Sequence, residues 1–226
     1  MKIGVIGTGT VGRTMAARLA ELGHSVTIGT RDPAATTART EPDGMGNPPF
    51  ASWHAEHQDI TLATFEQTAQ HGEFVINATG GSGSLAALTA AGAENLQGKV
   101  LIDISNPLDF SQGFPPFLSV DNTDSLGEQI QRAFPEVRVV KSLNTMAATL
   151  MAEPKQLAGG DHSVFVSGND ADAKASVTTL LESLGHTDVI DLGDITTARG
   201  SEMLLPIWVR LMTALGTPIF NFKIVR

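Results

Sequence analysis

IGVIGTGTVGRTMAARLAELGHSVTIGTR, residues 3–31, is the stretch whose reading decides the fold. An apolar strand over residues 2–6 runs into Gly7-Thr8-Gly9-Thr10-Val11-Gly12, after which Val11, Met15, Leu19 and Leu22 recur at helical spacing. Strand, glycine turn and helix together open a dinucleotide-binding βαβ unit. Gly7 permits the tight turn, Gly9 removes a side chain where a pyrophosphate would approach, and Gly12 lets helix and strand pack closely. The free amides and positive dipole end of the helix N-terminus suit phosphates. Glycine-rich turns also serve purely conformational ends. Here, however, a second strand over residues 25–29 arrives at the distance the unit requires.

The residues after that second strand select the dinucleotide. An NAD site normally carries Asp or Glu there, to accept hydrogen bonds from the ribose 2′-hydroxyl and repel a 2′-phosphate. This chain carries Thr30-Arg31, a hydroxyl and a guanidinium, which is a phosphate-binding pair and favours NADP. Asp32 leaves two possibilities open: it ties up Arg31, or it caps the short helix that Pro33 begins over residues 33–40.

Composition bounds the rest. The 226 residues are 42% hydrophobic and 17% charged, as in an ordinary globular protein with a substantial core. A net charge of −9 leaves no basic stripe for nucleic acid or for an anionic membrane. The chain has no Cys, which excludes disulfides, thiolate metal sites and a cysteine nucleophile, and fits a cytoplasmic protein. No apolar run approaches the roughly 20 residues of a membrane span. Gly4, Gly7 and Gly9 interrupt the N-terminus where a signal peptide needs a continuous apolar core.

Further along, residues 41–49 (EPDGMGNPP) read as a surface loop, because Gly and Pro break both periods. Trp53, His54 and His57 follow without a supporting carboxylate or Cys, so a packing role is expected and no metal site. Strands are expected over residues 60–63, 73–78, 99–104 and 137–140, with helices over 64–71, 85–91 and 125–134. The strand ends bring candidate ligand contacts: Ala78-Thr79 with the glycine-rich turn after it, then Asn106-Pro107, then Asn144-Thr145-Met146. Asn106 can offer a donor and an acceptor to a nicotinamide; the alternative is a turn that merely needs Asn and Pro. Phe110, Phe114 and Phe117 form an aromatic loop suited to a pocket wall or an interface. Lys141 reads as a solvated strand-end charge rather than a general acid. Beyond Lys155 come a strand (162–166), a helix (170–184), a strand (187–192) and a final helical region from 195 to about 215, kinked at Pro206. That region is apolar on more than one side and calls for a second partner.

The expected fold class is α/β: a Rossmann-like, doubly wound, mostly parallel sheet with a small C-terminal α/β region ending in a long helical segment. Residues 1–155 would form the NADP-binding domain. Residues 156–226 would contribute to an acceptor pocket and a dimer interface.

GTGTVG with IGTR, the segment KSLNTMAA (141–148), and the later HSVFVSGNDADAK, VIDLG and AR..EMLLPIW segments together resemble the NADP oxidoreductases dependent on the deazaflavin coenzyme F-420. The resemblance implies pyrophosphate and ribose contacts at Thr8, Gly9, Thr10 and Val11, 2′-phosphate contacts at Thr30 and Arg31, and a homodimer. Three positions depart from the family pattern. Ala35 stands where the family has Lys, Asn144 where its deazaflavin segment has His, and Met146 where it has Ile.

The expected activity is hydride transfer between NADP(H) and a flat acceptor, foremost the deazaflavin, with no acid, base or nucleophile constellation. Gly7 to Gly12, Thr30, Arg31, Ala78, Thr79, Asn106 and Pro107 would hold the cofactor. Asn144, Thr145, Met146 and Leu205 would line the acceptor side. Two alternatives stay open: an NADPH-dependent reductase of flavin, ferric chelate or a small carbonyl compound, and a non-catalytic NADP-sensing regulator.

Overall fold

A computed structural model describes residues 1–42 and 46–226; residues 43–45, inside the expected loop 41–49, lie outside it. The strands are β1 (Lys2–Ile6), β2 (Ser25–Thr30), β3 (Thr61–Thr64), β4 (Phe74–Asn77), β5 (Val100–Asp103), β6 (Leu108–Asp109), β7 (Phe117–Leu118), β8 (Arg138–Ser142), β9 (Ser163–Ser167) and β10 (Asp188–Gly193). Eight of them form one sheet in the order β3-β2-β1-β4-β5-β8-β9-β10. Every pairing in that sheet is parallel except β8 with β9. Strand order reverses between β1 and β4, the topological switch point of a Rossmann-like sheet.

The helices are α1 (Thr10–Glu21), α2 (Pro33–Thr37), α3 (Phe50–Glu56), α4 (Phe65–His71), α5 (Gly81–Ala91), α6 (Ala93–Leu96), α7 (Leu126–Ala133), α8 (Ala148–Ala152), α9 (Ala171–Leu184), α10 (Ala198–Met203) and α11 (Leu205–Leu215). They cover both faces of the sheet, so the central strands read as almost unbroken apolar runs, KIGVI, FVIN and VLID. Successive residues still divide between the faces. Ile3, Val5, Ile76 and Ile102 join one core with Met15 and Leu19 of α1, while Ile6, Val75 and Leu101 join the other with Leu88 and Ile130.

Two local expectations change. The second glycine-rich turn is mostly helix: α5 begins at Gly81, not at residue 85. Its glycines lower intrinsic helix propensity, but burial of Ala87, Leu88 and Ala91 of the same helix in the core outweighs that preference. The last helical region is broken as well as kinked, with α11 restarting at Leu205 beside Pro206. Beyond it, residues 217–226 form no helix or strand and return to β9, where Ser163 N donates to the Phe222 carbonyl at 2.9 Å. Asp188 of β10 holds that tail through Lys223 (3.2 Å) and Arg226 (2.7 Å).

Candidate functional site

The C-terminal ends of β1, β4, β5 and β8 lie in register, with Ile6 opposite Asn77, Asn77 opposite Asp103, and Asp103 opposite Lys141. The turns that follow them touch in sequence. A Cβ on Gly7 would stand 2.6 Å from the Ala78 carbonyl oxygen, and one on Gly12 would stand 1.9 Å from that of Gly7. Gly81 is as close to the next turn, 2.0 Å from the Asn106 carbonyl oxygen by the same measure. Asn106 Nδ2 donates to the Asn144 carbonyl at 2.9 Å, and Asn144 Nδ2 donates back to Asn106 Oδ1 at 3.0 Å and to the Ser201 carbonyl at 3.1 Å. Gly7, Ala78, Asn106 and Asn144 thus form one continuous edge. Gly9 is an opening in it, since a Cβ there would meet no described residue within 4 Å.

At the end of β2, Asp32 Oδ1 accepts from Ala35 N at 3.0 Å and caps α2, which decides between the two roles left open for it. Arg31 is exposed and makes no ion pair with a described residue. Thr30 is buried and its hydroxyl sits 2.8 Å from that of Thr36.

The reading of Lys141 as a solvated charge is wrong. Its side chain is fully buried and its ammonium reaches Asp103 Oδ2 and Glu202 Oε1, each at 2.8 Å, and the Ser105 carbonyl. Burial disfavours its charge, but the Asp103 and Glu202 carboxylates outweigh that penalty and hold the ammonium above its ordinary range. Asp103 also accepts from Asn77 Nδ2 (2.8 Å) and Ser105 Oγ (2.6 Å), while Glu202 accepts the first amides of α7, Leu126 N (2.9 Å) and Gly127 N (3.0 Å). Asn77 Oδ1 in turn accepts from the Thr79 hydroxyl at 2.7 Å. Sequence reasoning passed over Asn77, Asp103, Ser105 and Glu202. The available signal was that the apolar strands β4 and β5 each end in one hydrogen-bonding residue, Asn77 and Asp103, and β8 in Lys141-Ser142, with Asn77, Asp103 and Lys141 in register.

The remaining expected residues fall as follows. Asn144, Thr145, Met146 and Leu205 are all buried, and Met146 belongs to the core around α1. Pro107 is buried beside Asn106, and its carbonyl accepts from Ser119 N at 2.8 Å. Phe110, Phe114 and Phe117 are exposed on the hairpin of β6 and β7. His57 stacks on Trp53 with ring centres 4.5 Å apart, and His54 bonds the Ile60 carbonyl at 2.8 Å, so both histidines have packing roles. A cavity of about 410 Å³ opens among α1, α3 and α8, behind the glycine turn; Thr10 is the one residue of the expected set on its wall. Among the described residues no helix is long and apolar enough to cross a membrane.

A glycine turn at the switch point, an open position at Gly9 and an unpaired cation after β2 define the class: a Rossmann-like dinucleotide-binding protein. The comparisons narrow it. The family model described as NADP oxidoreductase, coenzyme F420-dependent, matches residues 2–107. A solved structure from Arthrobacter sp. FB24, provisionally named an F420-dependent NADP reductase, is 69% identical with a TM-score of 0.97, and both chains are covered in full. The F420-dependent NADP reductase of Methanothermobacter marburgensis is 28% identical over 218 residues, 93% of this chain and 92% of that protein. Metalloreductase STEAP3 of Rattus norvegicus is 30% identical over 221 residues, 95% of this chain. The chain spans only 39% of that metalloreductase's length. The chain belongs to the coenzyme F420-dependent NADP oxidoreductase family.

Proposed function

We propose that the chain transfers hydride between NADP(H) and a flat acceptor, foremost the deazaflavin coenzyme F420. The observation that carries this reading is the exposed Arg31 guanidinium, which pairs with no described residue, beside Thr30 at the end of β2 while Asp32 is engaged in capping α2. A guanidinium left free at that position suits a 2′-phosphate, through two parallel charge-assisted bonds. Thr8 to Gly12, following Gly7, hold the pyrophosphate with the free amides of α1. Ala78, Thr79, Asn106 and Pro107 flank the nicotinamide. Asn144, Thr145, Met146 and Leu205 back the acceptor, and residues 156–226 complete its pocket. NADPH supplies the hydride, so the protein's part is to hold two rings at reacting distance and keep water away.

Membership in a family of oxidoreductases supports this reading over the non-catalytic regulator. The flavin or ferric-chelate reductase remains the second reading, supported by the match to a metalloreductase over 95% of this chain. Asn144 and Met146, where the family pattern has His and Ile, fall on the acceptor side and favour the same alternative. A cytoplasmic homodimer fits the Cys-free composition and the exposed apolar residues of α11, Ile207 and Leu215.

Titration with NADPH and NADH tests the cofactor, and NADPH oxidation assayed with the deazaflavin, FMN and ferric citrate tests the acceptor. Tighter binding of NADH defeats the role of Arg31. Turnover with FMN or ferric citrate but not with the deazaflavin selects the second reading.

A further inference from the structure

The Lys141 ion cluster has no part in the chemistry proposed above, yet it lies fully buried at the edge where that chemistry would occur. Replacing a buried ion cluster with apolar groups of similar volume is often neutral or stabilising, so stability alone does not account for it. Its geometry does. Lys141 carries three N–H donors, and each has one acceptor from a different segment: Asp103 at the end of β5, Glu202 in α10, and the Ser105 carbonyl in the turn that presents Asn106.

A second link runs parallel to it. Asn144, three residues after Lys141, binds both Asn106 and the Ser201 carbonyl, so the same three segments are tied once by charge and once by amide hydrogen bonds. Glu202 is further held by the N-terminal amides of α7, which leaves its carboxylate no freedom to follow a displaced lysine. The pyrophosphate turn and the Thr30-Arg31 pair, by contrast, make no bond to this network.

We propose that Lys141 is a positioning residue for hydride transfer: its ammonium fixes the Ser105-Asn106 turn and, through Glu202, the α10–α11 segment carrying Leu205. The proposal rests on the hydride-transfer reading above. It separates two functions spatially, with β1 and β2 anchoring the adenosine half of the cofactor and the Lys141 network setting where the nicotinamide meets its acceptor. Displacement of that turn by about 1 Å is enough to cost roughly 100-fold in rate.

The absence of native Cys permits a clean test. Lys141→Cys is alkylated in denaturant with 2-bromoethylamine and refolded, which restores an ammonium at nearly the original reach. A charge-free triple variant, Asp103→Asn with Lys141→Met and Glu202→Gln, leaves no ion unpaired and serves as the second probe. Three quantities are read on each: affinity for 2′,5′-ADP, nicotinamide fluorescence of bound NADPH, and the rate of NADPH oxidation by the deazaflavin.

The expected result for the unalkylated and triple variants is 2′,5′-ADP affinity within about threefold of wild type, altered nicotinamide fluorescence, and hydride transfer slowed roughly 100-fold. Aminoethylation should restore the last two. Unchanged fluorescence and rate in a folded variant overturn the proposal. So does an equal loss of 2′,5′-ADP affinity, or failure of both variants to fold, since either makes the network a requirement of the fold. If wild-type protein does not reduce the deazaflavin, the proposed acceptor fails instead, and the fluorescence and 2′,5′-ADP readings still decide the role of Lys141.

Discussion

Gly9→Ala separates the needs of the fold from those of the cofactor. The backbone at Gly9 has φ −75° and ψ −174°, which any L-residue adopts, and the new Cβ would meet no described residue within 4 Å. The folded state is therefore unstrained, while the unfolded chain loses conformational freedom worth about 0.4–1 kcal/mol. For a chain of this size that raises the melting temperature by roughly 1–4 °C. The same methyl group would intrude on the space assigned to the pyrophosphate. An overpacking cost of about 1–3 kcal/mol there weakens NADPH binding roughly 5- to 150-fold. The assay is thermal unfolding of the free protein beside NADPH titration by fluorescence. Gly12→Ala is the control with the opposite sign: its Cβ would stand 1.9 Å from the Gly7 carbonyl oxygen, so α1 must move away from β1 and stability falls by about 1–3 kcal/mol. If Gly9→Ala binds NADPH as tightly as wild type, the pyrophosphate does not pass over Gly9 and the site assignment fails.

Arg31→Ala should weaken NADPH binding roughly 10- to 150-fold, the loss of charge-assisted bonds worth about 1.5–3 kcal/mol, and leave NADH unchanged; parallel titrations check it. Asp32→Ala removes the cap on Ala35 N and should cost about 1 kcal/mol of stability, read as a lower melting temperature. Burial holds His186 neutral, with its pKa lowered from 6.5 to about 4 despite its bond to the Met151 carbonyl. Between those values the unfolded chain binds the extra proton, so stability is full above pH 6.5 and declines toward pH 4, by up to about 3 kcal/mol. Urea unfolding at pH 7 and pH 4.5 should show that decline in wild type and a shallower one in His186→Gln.

How much of this molecule could be read from its sequence depends on the range over which each signal acts. The opening βαβ unit was readable because its determinants are local: apolar periodicity, a glycine turn, and the residues just after β2. Even the open question at Asp32 turned on a contact three residues away. The start of α5 was not readable, because Gly80 to Gly83 favour a loop by themselves and the helix is held by the burial of Ala87, Leu88 and Ala91 in the core. The antiparallel entry of β9 and the return of residues 217–226 to it have no local signature either.

The site divides in the same way. The sequence by itself determined the dinucleotide unit, its leaning toward NADP and the membership of the strand-end residues in one edge, since in a parallel sheet successive strand ends necessarily lie together. The tertiary structure alone decided the state of Lys141. A lysine closing a short strand is solvated unless something draws it inward, and what does so here is a pair of carboxylates on β5 and α10. Only the sheet order and the docking of α10 bring both to one ammonium, and burial then makes that contact strong enough to hold the charge.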